Sequence, residues 1–379
     1  MKKYKTAELF LVLLVLIVMS AGILILQNGM EKLQSVQQES VYVPERRDLY
    51  NNYGLKNGQS LSKTKILETQ DQVIYTDRIF NINRISEDRI SYAADIMKAL
   101  QEKSGKATYI MPIPERAAFE SGYETEKERY SDFTEKLKAS FSDPSVVLDP
   151  LSELENHQDE YIYFRTGNSW TMRGAFYGAQ VIFGELGYDK ENLDSYREYV
   201  FGTFRGNLFR EALKKYSTDE IKKEIENMEK EPFYIYINGS NPNREELTLK
   251  NNEGQPQTVK RQTIQFNSSG NDAVIGSDFV HSIVEGRGKG QGKGNLLLIA
   301  DARGKMMISY LSEIYDKVYV SNIYKDADLI QNLDEILKKY NIEYIIWAQD
   351  VAETGNRAYM KALNPLLKEG GVSDVGTDS

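Results

Sequence analysis

The chain has 379 residues, of which 41% are hydrophobic and 27% charged, and this suits one large globular domain with accessory segments. Its formal net charge of -9 argues against a general nucleic-acid binder, because a phosphate backbone is bound by a basic surface. The absence of cysteine excludes disulfides, a thiol nucleophile and zinc–thiolate sites.

Near the N-terminus, an apolar stretch over residues 9–26 follows three lysines. It is just long enough to span a bilayer, which takes about 20 residues. A cleaved signal peptide is the alternative, but the apolar run exceeds the ~7–15 residues typical of one. We therefore predict a cytoplasmic tip and transmembrane anchor over residues 1–28, a juxtamembrane stalk over 29–65 and an extracytoplasmic domain over 66–379. The expected location is the cell membrane, with a single pass.

Hydrophobic periodicity then predicts the first elements of the domain. Residues 66–85 contain short alternating segments that favour one or two strands. Further along, the pattern predicts helices at 86–103, 126–141, 172–186 and 218–230, and short strands at 107–112, 146–148 and 161–164.

Residues 233–267 alternate between polar and apolar positions and are interrupted by turn-forming residues. They predict a small antiparallel β insertion with strands at 233–237, 245–249 and 258–266. The glycine-rich segment 286–294 follows and predicts a flexible loop, not a phosphate-binding loop, because it precedes a strand.

The last third of the chain alternates strands and helices most clearly. Strands are predicted at 296–300, 318–322 and 344–347, with helices at 305–314 and 328–340 between them. Such alternation favours right-handed βαβ units and a parallel sheet. Asp301 and Ala302 follow the first of these strands, at the edge of the sheet where sites in such folds lie.

Two blocks carry a family resemblance: residues 161–179 (YIYFRTGNSWTMRGAFYGA) and 296–305 (LLLIADARGK). Together they resemble the DHHW family, an SGNH-hydrolase-like group of extracytoplasmic proteins related to the alginate acetylation proteins. The first family block contains Asp-His-His-Trp-Thr, and the second contains a strand ending in Asp-Ser. The resemblance implies an α/β fold of three α/β/α layers around a mostly parallel central sheet.

The resemblance also shows which catalytic groups are missing. The four DHHW positions fall on Gly167, Asn168, Ser169 and Trp170, and the family serine falls on Ala302. The nucleophile is thus replaced by alanine, the base by Ser169 and the orienting aspartate by Gly167. A serine esterase or acyltransferase needs all three roles, so we predict that no catalytic set is intact.

The only two histidines, His157 and His281, could in principle supply a base. His157 lies in an acidic segment before the first block, where a surface role is the simpler interpretation. His281 is expected to pack in the core or at its rim. A displaced nucleophile at Ser169 remains open as an alternative.

Several residues near the lost catalytic positions are candidates for binding. The predicted binding residues are Arg116, Arg165, Trp170, Arg173, Asp301 and Arg303. The arginines would suit a carboxylate or phosphate on an envelope polymer, although they could equally form salt bridges with nearby acids. Trp170 either packs against the sheet or forms the floor of a cleft. We expect no cofactor and no metal.

The sequence supports three hypotheses for function. In the first, the chain is a membrane-anchored pseudoenzyme that binds an envelope polysaccharide or a membrane O-acyltransferase during surface-polymer modification. In the second, it is an active O-acetyltransferase or acetylesterase with relocated catalytic residues. In the third, it is a structural subunit of an envelope assembly.

Overall fold

A computed structural model describes residues 61–82, 85–190, 192–216, 218–238, 244–250, 256–263, 274, 279–286 and 294–369. The predicted anchor, most of the predicted stalk and residues 287–293 of the glycine-rich loop lie outside these ranges. No helix in the described ranges is long and apolar enough to cross a bilayer.

The described strands, in chain order, are β1 (Lys65–Glu68), β2 (Gln72–Tyr75), β3 (Ile79–Asn81), β4 (Ala107–Ile113), β5 (Arg197–Phe204), β6 (Glu231–Ile237), β7 (Arg244–Lys250), β8 (Pro256–Gln262), β9 (His281–Glu285), β10 (Asn295–Ala300), β11 (Lys317–Asn322) and β12 (Ile342–Asp350). The α-helices are α1 (Glu87–Ser104), α2 (Glu124–Ala139), α3 (Leu151–Glu155), α4 (Met172–Glu185), α5 (Asn207–Lys215), α6 (Asp219–Glu226), α7 (Ile308–Ile314), α8 (Leu333–Lys339) and α9 (Pro365–Glu369).

The central sheet has seven strands in the order β4-β12-β10-β11-β9-β7-β8. The first four are mutually parallel, and β9, β7 and β8 continue the sheet in antiparallel pairs. Leu298 in β10 lies opposite Val320 of β11 and Ile346 of β12. The predicted α/β fold with a mostly parallel central sheet is therefore confirmed, and the antiparallel strands β9 and β8 make the sheet mixed.

Helices cover both faces of the parallel strands. The crossover from β10 to β11 contains α7, and the return from β11 to β12 runs in the opposite direction and contains α8. Crossovers between parallel strands are right-handed in nearly all proteins, which puts two helices that cross in opposite directions on opposite faces of the sheet. On the α8 side, Leu297, Trp347 and Leu333 belong to one buried cluster. Burial on both faces explains why β10 is a continuous apolar run.

The helix predicted at 86–103 is confirmed as α1. Ser86 takes the N-cap position with an extended backbone, and Gly105 follows the last turn at φ 60°. This left-handed conformation suits glycine, which has no Cβ to clash. Ile90, Ala93 and Met97 form the buried face of the helix.

The N-terminal part of the domain forms a separate three-stranded antiparallel sheet, β1-β2-β3, where one or two strands were predicted. Ser62, which the prediction assigned to the stalk, donates from its N–H to the Asp77 carboxylate at 2.7 Å. The Ser62 carbonyl also accepts from Arg78 at 2.8 Å. The ordered contacts of the domain thus begin before residue 66.

The three strands predicted between 233 and 267 form, but they do not make one separate insertion. β6 pairs with β5, an element that the prediction missed, in a two-stranded sheet. β7 and β8 pair with each other and join the central sheet through β9. The alternating pattern therefore identified the strands but not their partners.

The two short strands predicted at 146–148 and 161–164 are wrong as strands. Each contributes one isolated bridge, Val147 to Ile110 and Tyr163 to Trp170. The 3₁₀ turn Pro144–Val146 comes directly before Val147, and a bend over residues 165–169 follows Tyr163, so neither bridge extends into a ladder. The helix predicted at 328–340 is also shorter than expected, as α8, whereas the one at 172–186 is confirmed as α4.

Candidate functional site

The Asp position of the second block, Asp301, lies at the carboxyl end of β10, in a tight turn over residues 301–304. The Oδ1 atom of Asp301 accepts hydrogen bonds from the N–H groups of Arg303 and Gly304, both at 2.8 Å. Its Oδ2 atom accepts from the N–H of Asp350 on the neighbouring β12 at 2.9 Å. The carboxylate therefore closes the turn and joins two parallel strands.

The guanidinium of Arg303 points into a buried group of acids. Its Nη2 lies 2.6 Å from Asp350 and 3.2 Å from Glu115. The Arg303 side chain is only 4% exposed, and its Nη1 has no hydrogen-bond partner among the described residues. The Arg303 guanidinium therefore neutralises carboxylates inside the protein.

Burial has the largest effect on the pKa values of the acids around Arg303. It raises the pKa of the Asp350 carboxyl well above its usual value, and the charge of Arg303 opposes this. Burial likewise raises the pKa of Asp301, while the charge of Arg303 and the main-chain hydrogen bonds lower it in part. Glu353, which accepts from the Tyr324 hydroxyl, has a pKa raised by burial.

These contacts bear on the predicted anion site. The sequence suggested that Arg303 could bind a carboxylate or phosphate, but the main-chain N–H groups of Arg303 and Gly304 already donate to Asp301. The following element is only a short 3₁₀ turn, Gly304–Met307, before α7. The hydrogen bonds of Asp301 and the ion pairs of Arg303 at this turn are therefore contacts within the protein that stabilise the fold.

Trp170 connects the two sequence blocks. Its indole is fully buried, and its Nε1 donates to the Arg303 carbonyl at 3.0 Å. α4 approaches the ring through two glycines. A Cβ on Gly178 would lie 2.5 Å from the indole, and one on Gly174 would lie 2.3 Å from the Ile162 carbonyl. Trp170 was expected either to pack against the sheet or to form the floor of a cleft. Its complete burial shows that it packs in the interior.

The loop over residues 165–169, here called the motif loop, is held by one buried carboxylate. Glu231 accepts from the N–H groups of Arg165 at 2.5 Å and Thr166 at 2.8 Å, and from the Thr166 hydroxyl. It also accepts from the Tyr161 hydroxyl at 2.5 Å. Sequence reasoning missed Glu231, since it lies at the start of β6, far along the chain, with no local pattern to mark it.

The motif loop contains no acid–base pair. Ser169 is 1% exposed, and its Oγ has no hydrogen-bond partner among the described residues. Gly167 packs against Phe164, where a Cβ would lie 3.3 Å from the Phe164 Cβ. Asn168 is exposed and donates from its N–H to the Asn207 side chain at 3.1 Å. Ala302, half-buried beside Arg303, completes the set of substituted positions.

Each histidine is occupied elsewhere. His157 Nδ1 lies 2.8 Å from a Glu160 carboxylate oxygen, and its ring stacks on Tyr177 with centroids 3.6 Å apart. His281 lies in β9 and stacks on Tyr319, and burial lowers its pKa. Neither histidine is hydrogen-bonded to the Ser169 hydroxyl, so the relocated acid–base pair that the alternative hypothesis needs is not formed.

The remaining predicted arginines take different positions. Arg116 donates to Glu120 at 2.6 Å and to the carbonyl oxygens of Tyr163 at 3.4 Å and Phe164 at 3.2 Å. It therefore supports the main chain that leads into the motif loop. The N–H of Arg165 bonds to Glu231, and its side chain is half-buried.

Arg173, in the first turn of α4, pairs with Glu160 and lies 3.5 Å from Glu198. Its Nε also donates to the Tyr236 hydroxyl at 3.2 Å. The structure thus separates Arg173 from Asp301 and Arg303 and places it in a second polar network. Among the described residues no group of three or more acids and histidines is arranged to hold a metal ion.

Both sequence blocks lie within the region that matches a known protein family. The sequence matches the DHHW protein family over residues 45–321, which is most of the chain. The chain belongs to the DHHW family. None of the curated proteins matches the sequence at a significant level.

Solved structures support the fold of this DHHW protein. A DHHW family protein from Eubacterium siraeum is 17% identical, with 79% of this chain and 98% of that chain covered and a TM-score of 0.64. Bacillus cereus PatB1 with a sulfonyl adduct is 13% identical, covering 77% of this chain and 98% of that one at a TM-score of 0.57. A second PatB1 structure is 15% identical, with 76% and 99% covered and a TM-score of 0.54.

Proposed function

We propose that this DHHW protein is catalytically silent and binds an envelope polysaccharide in the context of surface-polymer acetylation. One observation carries the proposal. The nucleophile position holds the methyl group of Ala302, and the base position holds the buried hydroxyl of Ser169, which has no hydrogen-bond partner in the described part of the chain. Meanwhile Trp170 and Asp301 keep the contacts that build the turn.

The chemical reason lies in proton transfer. A serine nucleophile must lose its proton to a base within hydrogen-bond reach, and histidine is the side chain that accepts one near neutral pH. A hydroxyl at Ser169 cannot take that role. Removing a complete triad costs on the order of a millionfold in kcat. The resemblance to alginate acetylation proteins supports the polysaccharide context.

We expect the natural protein to hydrolyse no p-nitrophenyl acetate beyond the level of its Ser169→Ala variant. We also expect no labelling by a serine-reactive fluorophosphonate, because no base is available to activate a hydroxyl. Colorimetric turnover and gel detection of the probe measure the two quantities.

A variant with Gly167→Asp, Ser169→His and Ala302→Ser serves as the positive comparison. Turnover in this variant and silence in the natural protein are the expected pair. Turnover in the natural protein that disappears in Ser169→Ala would contradict the proposal and favour the relocated-nucleophile alternative.

Polymer binding is tested by co-sedimentation of the full chain, in detergent, with purified cell-wall material. Retention that soluble glycan fragments compete away is the expected result. Crosslinking to a membrane O-acyltransferase, without retention on polymer, would instead favour the partner that the sequence left open.

We also propose that residues 9–26 anchor the chain, with the domain outside the cytoplasm. The three lysines before an apolar run support this orientation. Protease added to intact cells is expected to digest the domain, while carbonate washing leaves the chain with the membrane. Release by carbonate, or protection of the domain, would count against the anchor.

A further inference from the structure

A pocket of about 770 Å³ lies beside the first two turns of α4. Arg173, Tyr177 and Gln180 line it, at the i, i+4 and i+7 spacing of one helix face. Gly174 and Gly178, which approach Trp170, lie on a different face of the same helix. The pocket is therefore separate from the turn at Asp301, and its volume lies within the roughly 300–1,000 Å³ typical of small-molecule sites.

Aromatic rings give the pocket a fixed wall. Phe176 and Tyr196 both line it and meet edge-to-face at 5.8 Å, and both contact the buried Tyr310 ring behind them. The imidazole of His157 stacks nearly parallel to the Tyr177 ring, at an interplanar angle of 7°. Such packing fixes the wall before any ligand arrives, which lowers the entropy cost of binding.

Ion pairs and hydrogen bonds to carboxylates fix the side chains on the polar side of the pocket. Arg173 bridges Glu160 and Glu198, while the hydroxyls of Tyr177 and Tyr236 each donate to one of these carboxylates at 2.8 Å. Burial raises the pKa of Glu160, but hydrogen bonds from Arg173, His157 and Tyr177 together lower it below its usual value. The carboxylate therefore stays ionised and remains a hydrogen-bond acceptor.

The charges of the lining select against anions. Among the described residues of the lining there are four carboxylates and two cationic side chains, Arg173 and Lys190. Lys190 itself pairs with Glu153 at 2.7 Å. Arg173, which the sequence suggested for anion binding, is already paired with acids on both sides. An added carboxylate or phosphate would meet net negative charge.

We propose that this pocket binds one or two sugar units that bear no negative charge, and that an amine on the sugar improves binding. This inference rests on the proposed polysaccharide-binding function. Sugar rings offer C–H faces that pack on aromatic walls, and their hydroxyls donate to carboxylates. An ammonium group would add attraction to the acidic lining.

The histidines give a direct readout, because the chain has only two and only His157 lines the pocket. The full chain, labelled at histidine Cε1 and kept in detergent, is titrated with three trisaccharides while both imidazole NMR signals are followed. The probes are triglucosamine, tri-N-acetylglucosamine and trigalacturonate, which are cationic, neutral and anionic. A His157→Gln variant assigns the two signals.

The expected result is a saturable shift of the His157 signal with the cationic and neutral sugars and none with trigalacturonate, while the His281 signal stays fixed. Asp194→Asn, which removes an exposed carboxylate from the lining, is expected to weaken triglucosamine binding roughly threefold and to leave the neutral sugar unchanged. Asp189→Asn, at an exposed position outside the lining, is the matched control.

Two outcomes overturn the inference: trigalacturonate binding best, or no sugar moving the His157 signal. If the polymer still retains the chain in that second case, the pocket assignment fails and the proposed function stands. Acetyl-ester turnover by the natural protein overturns the proposed function, whatever the histidine signals show.

Discussion

Gly178→Ala is expected to destabilise the domain by about 3 kcal/mol, as overpacking of a closed core does. The new methyl group would lie 2.5 Å from the indole of Trp170. That ring is fully buried and fixed by its bond to the Arg303 carbonyl, so it cannot move aside without losing contacts on both blocks. Urea unfolding followed by tryptophan fluorescence measures the change.

Gly184→Ala in the same helix is the matched control. Its Cβ would meet only the flexible end of Lys190, at 3.9 Å. Alanine in an open helical position stabilises by about 0.5–1 kcal/mol relative to glycine. Equal effects of the two substitutions would show that Trp170 does not fix the approach of α4.

Arg303→Met is expected to destabilise the domain at pH 7 by about 3–5 kcal/mol, the range seen when one partner of a buried ion pair is removed. The variant leaves the Asp350 carboxylate buried without its cation at 2.6 Å. A double variant that adds Asp350→Asn is expected to recover part of the loss, because the unpaired charge is then gone.

The deficit of Arg303→Met also depends on pH. Burial already raises the pKa of Asp350, and Arg303 opposes that rise, so removing the arginine raises this pKa further. A carboxyl whose pKa is higher in the folded state contributes stability below its unfolded pKa of about 3.9, and the contribution is lost as pH rises through the folded pKa.

The variant should therefore approach the natural protein in stability as pH falls from 7 towards about 5. Unfolding midpoints in urea across this range measure the difference, with Arg303→Lys as the control that keeps the charge. A deficit that stays constant with pH would mean that Arg303 stabilises the fold by packing alone.

The sequence predicted the C-terminal part of the fold best. Its strands are buried on both faces, so the segments that become β10 and β11 stand out as apolar runs in the sequence. The residues that mark helix ends also act locally, as Ser86 and Gly105 do for α1. Local signals of this kind depend only on neighbouring residues and can be read without a structure.

Strand pairing could not be predicted in the same way. β5 and β6 pair across an intervening stretch that contains α5 and α6, and the sequence analysis assigned neither β5 nor α5. An alternating pattern identifies a strand but not the strand that lies next to it. This is why three strands with one pattern were grouped into a single insertion although they belong to two sheets.

At the candidate site, too, local sequence patterns could be interpreted but contacts between distant residues could not be predicted. The missing groups at Gly167, Ser169 and Ala302 could be identified from the two blocks alone. The internal partners of Arg303 could not, because Glu115 and Asp350 come from strand ends or turns far apart in sequence. Arg173 likewise pairs with Glu160 and lies near Glu198, acids that only the fold brings close.

The pairing of β4 with β12 has a consequence for synthesis. β4 is an early strand, yet apart from one bridge to Val147 its described partner in the sheet is the last strand, from Tyr344 opposite Ala107 to Asp350 opposite Ile113. A chain made from its N-terminus must hold the apolar β4 unpaired until nearly all of the domain has emerged. The sheet thus cannot close before β12 has left the ribosome, and the nascent chain needs protection from aggregation until then.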